Sequence, residues 1–438
     1  MDKILEEEKK VKEKFNRFLR ILGPGLITGA ADDDPSGIAT YSQTGAQFGY
    51  GQLWTALFML PFQTATQEAC ARIGAITGKG LIAVVKENYS RKIAFFSVIL
   101  VLIANTINIG ADLGAMAAAT NLIIPLNFTF LIILFTVFVL LLEIFTSYKV
   151  YARLLKWLAL TLLAYPLTVF IVNEPWPTLL KATFMPHIEF TFPFFFIITG
   201  VLGTTISPYM FFWQASEEVE EEKEIGIRKF EGKPKVSKEF IRNLRVDNLL
   251  GMVASEIGTW SIIVVVATVL NAHGVTNIST SAEAARALEP LVKTFPNAGF
   301  LAKLIFAVGI VGLGLLSVPV LSGSASYAVS EAFSWREGLN LKLKRAHGFY
   351  GVITIATLIG LLINFIGIDP IKALVFTAVI NGIVAVPLIF LIAKVSSNES
   401  IMGANKSGYL SKSLLWLTFL GMFLAALALI STFFTFNH

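Results

Sequence analysis

The chain has 438 residues, of which 55% are hydrophobic and only 15% charged. A soluble domain carries about 25% charged residues, so a soluble multidomain enzyme, a nucleic-acid-binding protein and a disordered chain are excluded. The formal charge of +5 is a topology signal instead, because the Lys and Arg residues fall between long apolar runs.

In chain order, residues 1–20 form a mixed-charge tail, expected to be solvated or to lie as a short amphipathic helix on the membrane face, with no cleavable signal pattern. Eleven apolar stretches of about 20 residues follow, at 22–48, 53–75, 93–122, 130–145, 154–172, 194–215, 248–270, 300–333, 349–366, 371–393 and 414–436. They predict an all-α polytopic membrane protein with eleven transmembrane helices. The first, third and eighth are long enough to tilt or break. Thirty of the 35 Lys and Arg fall on one side of this layout; Lys181, Arg286, Lys293, Lys303 and Lys372 fall on the other. The N-terminus is therefore expected in the cytoplasm and the C-terminus outside. The acidic run at 217–224 reads as part of a solvated cytoplasmic loop. The single Cys70 and four histidines offer no disulfide framework and no paired-histidine metal motif.

Ionisable groups at membrane depth are costly and mark function. The first stretch carries Asp32, Asp33 and Asp34 at mid-span, followed by Pro35-Ser36-Gly37. Proline removes a donor and disfavours helix at the residue before it, so this helix is expected to unwind into an oxygen-rich cation site. The sixth stretch repeats the device with Thr204-Thr205-Ile206-Ser207-Pro208-Tyr209. Spans one to five and six to ten are two sets of five. Five is odd, so the second set enters the membrane inverted, the pattern of inverted-repeat transporters whose site lies where broken helices meet. The expected divisions are a tail (1–20), a first repeat (21–172), a second repeat (173–394) and a last helix with its preceding loop (395–438). Asp112 is a further deep acid in the third span. Glu68 and Arg72 are spaced to pair, and Glu143 reads as interfacial. Asp247 and Glu256 face either a cavity or the cytoplasm. Asn381, followed by Gly382, offers a carbonyl oxygen to a site or a bond to a neighbouring helix.

These residues resemble the Nramp family of divalent metal transporters, from Gly23-Pro24-Gly25 through Asp34-Pro35-Ser36-Gly37-Ile38-Ala39-Thr40 to Gln47-Phe48-Gly49-Tyr50. The family's Asp-Pro-Gly-Asn motif falls on Asp34-Pro35-Ser36-Gly37, and its Met-Pro-His motif on Ser207-Pro208-Tyr209. The resemblance implies a LeuT-type fold, a 5+5 inverted repeat with broken helices 1 and 6 and a metal between the breaks. It implies Asp34 as the charged ligand, the carbonyls of Ala31 and Thr204 as backbone ligands, and Ser207 and Asn381 as further ligands, direct or through water. Gly37, Pro35, Pro208 and Tyr209 line the site, and Asp112 and Asp33 belong to an ion or proton pathway.

The departures sharpen the expectation. Gly37 replaces the family's Asn, Ser207 its Met, Tyr209 its His, and Ala115 the Glu of helix 3. Losing a thioether leaves hard oxygen ligands, and small residues at 37 and 207 are expected to leave room for the waters that Mg²⁺ retains. The pattern is similar to the Nramp-related magnesium transporters. It implies uptake of Mg²⁺ and/or Mn²⁺ without proton coupling; the alternative is a proton-coupled Mn²⁺/Fe²⁺ symporter. A sodium-coupled amino-acid carrier and a Mg²⁺-dependent intramembrane prenyltransferase are distant alternatives. No enzyme activity and no cofactor are expected, the metal being substrate. The expected partners are a divalent cation and the lipid bilayer, with no nucleic acid and no obligate protein partner.

Overall fold

The structure, a computed structural model, describes residues 23–146, 163–172, 174–227, 229–230 and 233–436. The expected tail at 1–20 and the first part of the fifth span, 154–162, lie outside the described residues. The helices, in chain order, are α1 (Pro24–Asp32), α2 (Pro35–Phe48), α3 (Trp54–Thr77), α4 (Leu81–Asn88), α5 (Arg91–Asn121) and α6 (Phe128–Phe145). Next come α7 (Ala164–Ile171), α8 (Trp176–Phe184), α9 (Phe192–Thr205), α10 (Pro208–Glu224), α11 (Lys238–Val269) and α12 (Ser281–Arg286). The chain ends with α13 (Ala298–Phe333), α14 (His347–Ile363), α15 (Pro370–Ser397), α16 (Glu399–Met402) and α17 (Tyr409–Phe436). A two-residue antiparallel ladder, Lys229–Phe230 against Lys233–Pro234, joins α10 to α11.

Among the described residues, 8 helical segments are long and apolar enough to cross a membrane. The first and second expected spans do not meet that measure by themselves: one is split into α1 and α2, and the other, α3, is too polar over its stretch from Gln63 to Arg72. The third and eighth expected spans prove to be single helices of 31 and 36 residues, α5 and α13. The surface is apolar where lipid is expected. On α5, Phe96, Ile99 and Ile103 are exposed; on α6, Phe130, Leu134, Val137, Leu141 and Phe145 are. The polar side chains turn inward instead, among them Asp32, Asp33, Asp34, Asn108, Asp112 and Gln214. This inversion fits a bundle whose solvent is hydrocarbon. Cys70 is wholly buried on α3.

The break in the first helix is held against α11 by backbone-to-backbone packing. A Cβ on Gly25 would lie 2.6 Å from the Asn248 amide, and one on Gly29 would lie 2.3 Å from the Gly251 backbone. Further along, a Cβ on Gly45 would meet the Ile263 carbonyl at 2.6 Å. Small residues four apart let helices approach this closely. Asp247 of α11 then accepts from the Gly23 amide at 2.9 Å and from the Gly25 amide at 2.7 Å. These are orphan donors at a helix start, where a carboxylate is favourable.

Three expectations are corrected here. The acidic run at 217–224 is not a solvated loop. It continues α10 without interruption, and Glu217, Glu218, Glu220 and Glu222 are buried because that helix packs between α3 and α13. Gln214 donates to Glu218 at 2.9 Å, and Lys223 and Asn340 donate to Glu220 at 2.9 Å. Glu143 is not interfacial: it is 5% exposed and accepts from Ser322 of α13. Asp247 faces neither a cavity nor bulk cytoplasm but the start of α1. The expected Glu68–Arg72 pair forms at 2.9 Å, with Arg245 of α11 adding a second contact to Glu68 at 2.9 Å.

Candidate cation site at the helix breaks

Both breaks follow from proline. A proline at position i has no N–H for the carbonyl at i−4. Pro35 therefore frees the Ala31 carbonyl, and Pro208 frees the Thr204 carbonyl, in two broken helices that side-chain bonds bring together. α1 stops at Asp32, Asp33 and Asp34 leave the helical path, and α2 restarts at Pro35. α9 stops at Thr205 and α10 restarts at Pro208. Hydroxyls reach the freed carbonyls: Tyr209 Oη donates to Ala31 O at 2.6 Å, and Ser207 Oγ is shared between Gly203 O at 2.6 Å and Thr204 O at 2.9 Å. Tyr41 Oη and Thr205 Oγ1, 2.9 Å apart, tie the two broken helices together just beyond.

Asp34 caps α2. Its Oδ1 accepts from the Gly37 amide at 2.8 Å and from Ser36 Oγ at 2.6 Å. Its Oδ2 accepts from Asn108 of α5 at 3.1 Å, with Tyr209 Oη at 3.5 Å. Asp34 is 1% exposed, and among the described residues no basic side chain bonds to it. One helical turn beyond Asn108, Asp112 lies near enough to Asp34 for their charges to interact, and it accepts from Ser317 of α13 at 2.5 Å. Buried oxygens without a protein partner surround this pair: Asn108 Oδ1, Asp112 Oδ1 and Thr204 Oγ1.

The structure thus brings together Asp34, Ala31, Thr204, Ser207, Tyr209, Pro35, Pro208 and Gly37. Asn381 sits on α15, which meets α9 through glycine: a Cβ on Gly203 would lie 2.2 Å from the Gly382 amide. Its side chain is buried, with neither amide atom hydrogen-bonded. Asp33 accepts from Thr259 of α11 at 3.3 Å, so it belongs to the α1–α11 contact rather than to the Asp34 cradle. Gly37 corrects an expectation. Its missing side chain leaves no open room, for a Cβ there would stand 3.2 Å from Asp32 O, Thr204 Oγ1 and the Tyr41 ring alike. Space for coordinated water is not provided at that position. Asn108 was missed as a site residue, although it shares the i, i+4 face of Asp112 on one helix.

A helical bundle with polar groups turned inward and two mid-span breaks around a buried carboxylate is the architecture of a multi-pass membrane transporter. The Nramp family, described as natural resistance-associated macrophage protein-like, matches residues 25–432. This chain belongs to that family. It is 26% identical over 397 residues to the divalent metal cation transporter MntH of Caldanaerobacter subterraneus subsp. tengcongensis, covering 89% of this chain and 87% of that protein. MntH of Agrobacterium fabrum is 25% identical over 412 residues, covering 92% and 85%. Among solved structures, the manganese transporter of Eremococcus coleocola superposes with a TM-score of 0.74 at 17% identity, over 95% of this chain and 87% of that one. Mhp1, a nucleobase-cation-symport-1 family transporter, shares the fold at a TM-score of 0.57 and 13% identity, over 94% and 91%.

Proposed function

We propose that this protein transports divalent metal cations, taking up Mg²⁺ and/or Mn²⁺ without proton coupling, with Asp34 as the charged ligand. The observation that carries this reading is a buried carboxylate at two proline breaks, ringed by oxygens and amides, with no basic side chain among the described residues bonded to it. The carbonyls of Ala31 and Thr204, freed by the two prolines, are the backbone ligands once Tyr209 and Ser207 release them. Ser207 and Asn381 complete the shell directly or through water, Gly37, Pro35, Pro208 and Tyr209 line it, and Asp112 and Asp33 are the next acids on the ion path. We place these groups in an eleven-span, 5+5 inverted-repeat frame (21–172 and 173–394, with the tail 1–20 before and 395–438 after). The N-terminus is cytoplasmic and the C-terminus outside, as the Lys and Arg distribution supports. The bond partners of Asp34 contain no thioether and no imidazole, which favours hard cations. The test is uptake of Mg²⁺, Mn²⁺ and Ca²⁺ into proteoliposomes with pH fixed on both sides. Failure of all three to enter would remove the proposal.

Selectivity follows from Ser207. Ser207→Met puts a thioether at the break and is expected to lower the Mg²⁺:Mn²⁺ uptake ratio by about tenfold, equivalent to about 1.4 kcal/mol. An unchanged ratio in paired isotope uptake would mean that position 207 does not meet the ion.

Metal entry is expected to carry no protons. A relay needs groups that change charge near neutral pH, and the positions of the family's His and Glu hold Tyr209 and Ala115. A membrane potential of 100 mV supplies about 4.6 kcal/mol for a divalent ion, enough to drive accumulation alone. A pH dye trapped in proteoliposomes should stay flat during metal uptake under an inside-negative potential. The nearness of Asp112 to Asp34 favours the second reading, a proton-coupled symporter, and acidification tracking metal entry would establish it.

A further inference from the structure

Asp34 bonds across to α5, but the two acids before it bond elsewhere. Asp32 Oδ2 accepts from Gln63 of α3 and from Ser255 of α11, and Asp33 Oδ1 accepts from Thr259 of α11. Between Ser255 and Thr259, Glu256 is 5% exposed, and neither of its carboxylate oxygens has a hydrogen-bond partner. The α11 residues that flank it, Ser255 and Thr259, are the ones that bond Asp32 and Asp33, which sets the third acid on the helix beside the other two. Asp32 Oδ1 and Asp33 Oδ2 are likewise unpartnered. A Cβ on Gly258 would lie 2.8 Å from Asp33 Oδ2, so glycine lets that carboxylate reach α11.

The cluster therefore presents four acceptor oxygens that no donor among the described residues satisfies. No Lys, Arg or His occurs between positions 21 and 71 or between 246 and 272, so neither α1, α2 and the first part of α3 nor the mid-span of α11 supplies a balancing charge, and Arg72 at the far end of α3 is paired with Glu68. Buried carboxylates left in this way are costly in their charged form unless a proton or a cation joins them. We propose that Asp32, Asp33 and Glu256 form a second cation site, separate from Asp34, that takes a small hard cation, Na⁺ or Mg²⁺, on oxygen ligands. Among the described residues no three acid or imidazole side chains converge as a ready chelate. Each carboxylate thus gives only part of the shell, and the hydroxyls of Ser255 and Thr259, with water, supply the rest. The site spans α3, α11 and the break, so its ion fastens the broken helix to α11 while the Asp34 ion comes and goes.

The test uses the full-length protein in detergent, at constant ionic strength balanced with choline chloride. Thermal unfolding is followed against added NaCl in one arm and MgCl₂ in the other. Asp34→Asn is expected to keep a saturable, cation-dependent rise in Tm. Adding Glu256→Gln, or Asp33→Asn, should weaken the apparent affinity by at least about tenfold. Both substitutions keep shape while removing a buried charge, so the variants should fold. The arm that saturates identifies the ion. If Asp34→Asn alone abolishes all saturable stabilisation, if the double variants keep it, or if neither salt saturates, the second site is overturned. Uptake by Asp34→Asn, measured separately, reports on the Asp34 assignment and is independent of this titration.

Discussion

Asp34→Asn is expected to cut divalent cation uptake in proteoliposomes by at least about 100-fold, or about 2.8 kcal/mol, while the protein still inserts and purifies. The amide keeps the shape of the α2 cap and can still accept from Gly37 and Ser36. What it loses is the formal charge inside the Ser36–Gly37–Asn108 cradle, in a region where water offers little screening. Asn108, now facing an amide, also loses a charge-assisted bond. Asp112 alone cannot compensate, because it is held by Ser317 one turn away on α5. Uptake within threefold of the wild type would move the cargo site to the Asp32–Asp33 side of the break.

Gly203→Ala is expected to be the most damaging single methyl addition near the site. Its Cβ would stand 2.0 Å from Ala378 O and 2.2 Å from the Gly382 amide. Both are backbone atoms of α15, so no side chain can swing away, and α9 and α15 must separate. Overpacking of this kind costs about 1–3 kcal/mol or more, and it displaces Asn381 from the broken helix. The measurement is Tm and gel-filtration profile in detergent beside Gly309→Ala, where a Cβ meets nothing within 4 Å. That control should be neutral or slightly stabilising, since alanine is favoured over glycine in a helix by about 1 kcal/mol. Equal Tm for the two variants would mean that the α9–α15 contact is looser than the structure has it.

The two breaks were legible because proline acts locally: Pro35 and Pro208 each dictate where a helix ends, whatever surrounds it. The buried Asp34 was legible for the same reason, sitting beside its own break. The acidic stretch of α10 misled because charge density reports solvation only when tertiary partners are absent, and here Gln214, Lys223 and Asn340 meet it. Glu143 misled in the same way, since its partner Ser322 lies 179 residues away. Gly37 shows a different limit. Composition gives the volume a side chain leaves behind but not which neighbours move into it, and Thr204 with Tyr41 did so. The spacing of Gly25 and Gly29 carried the α1–α11 contact in plain view, as a small-residue pair four apart on one face.

The burial of Cys70 has a practical consequence for anyone following this protein by chemistry rather than by flux. The only thiol in the chain is sealed inside α3, so towards a polar maleimide the native protein behaves as if it already lacked cysteine. A cysteine introduced at Ala272 or at Ala404, both exposed in short connections between helices, becomes the single reactive group. Reagents that do not cross a bilayer will then tell, from sealed vesicles, which connection faces which compartment. No native side chain has to be sacrificed beforehand to make that reading clean.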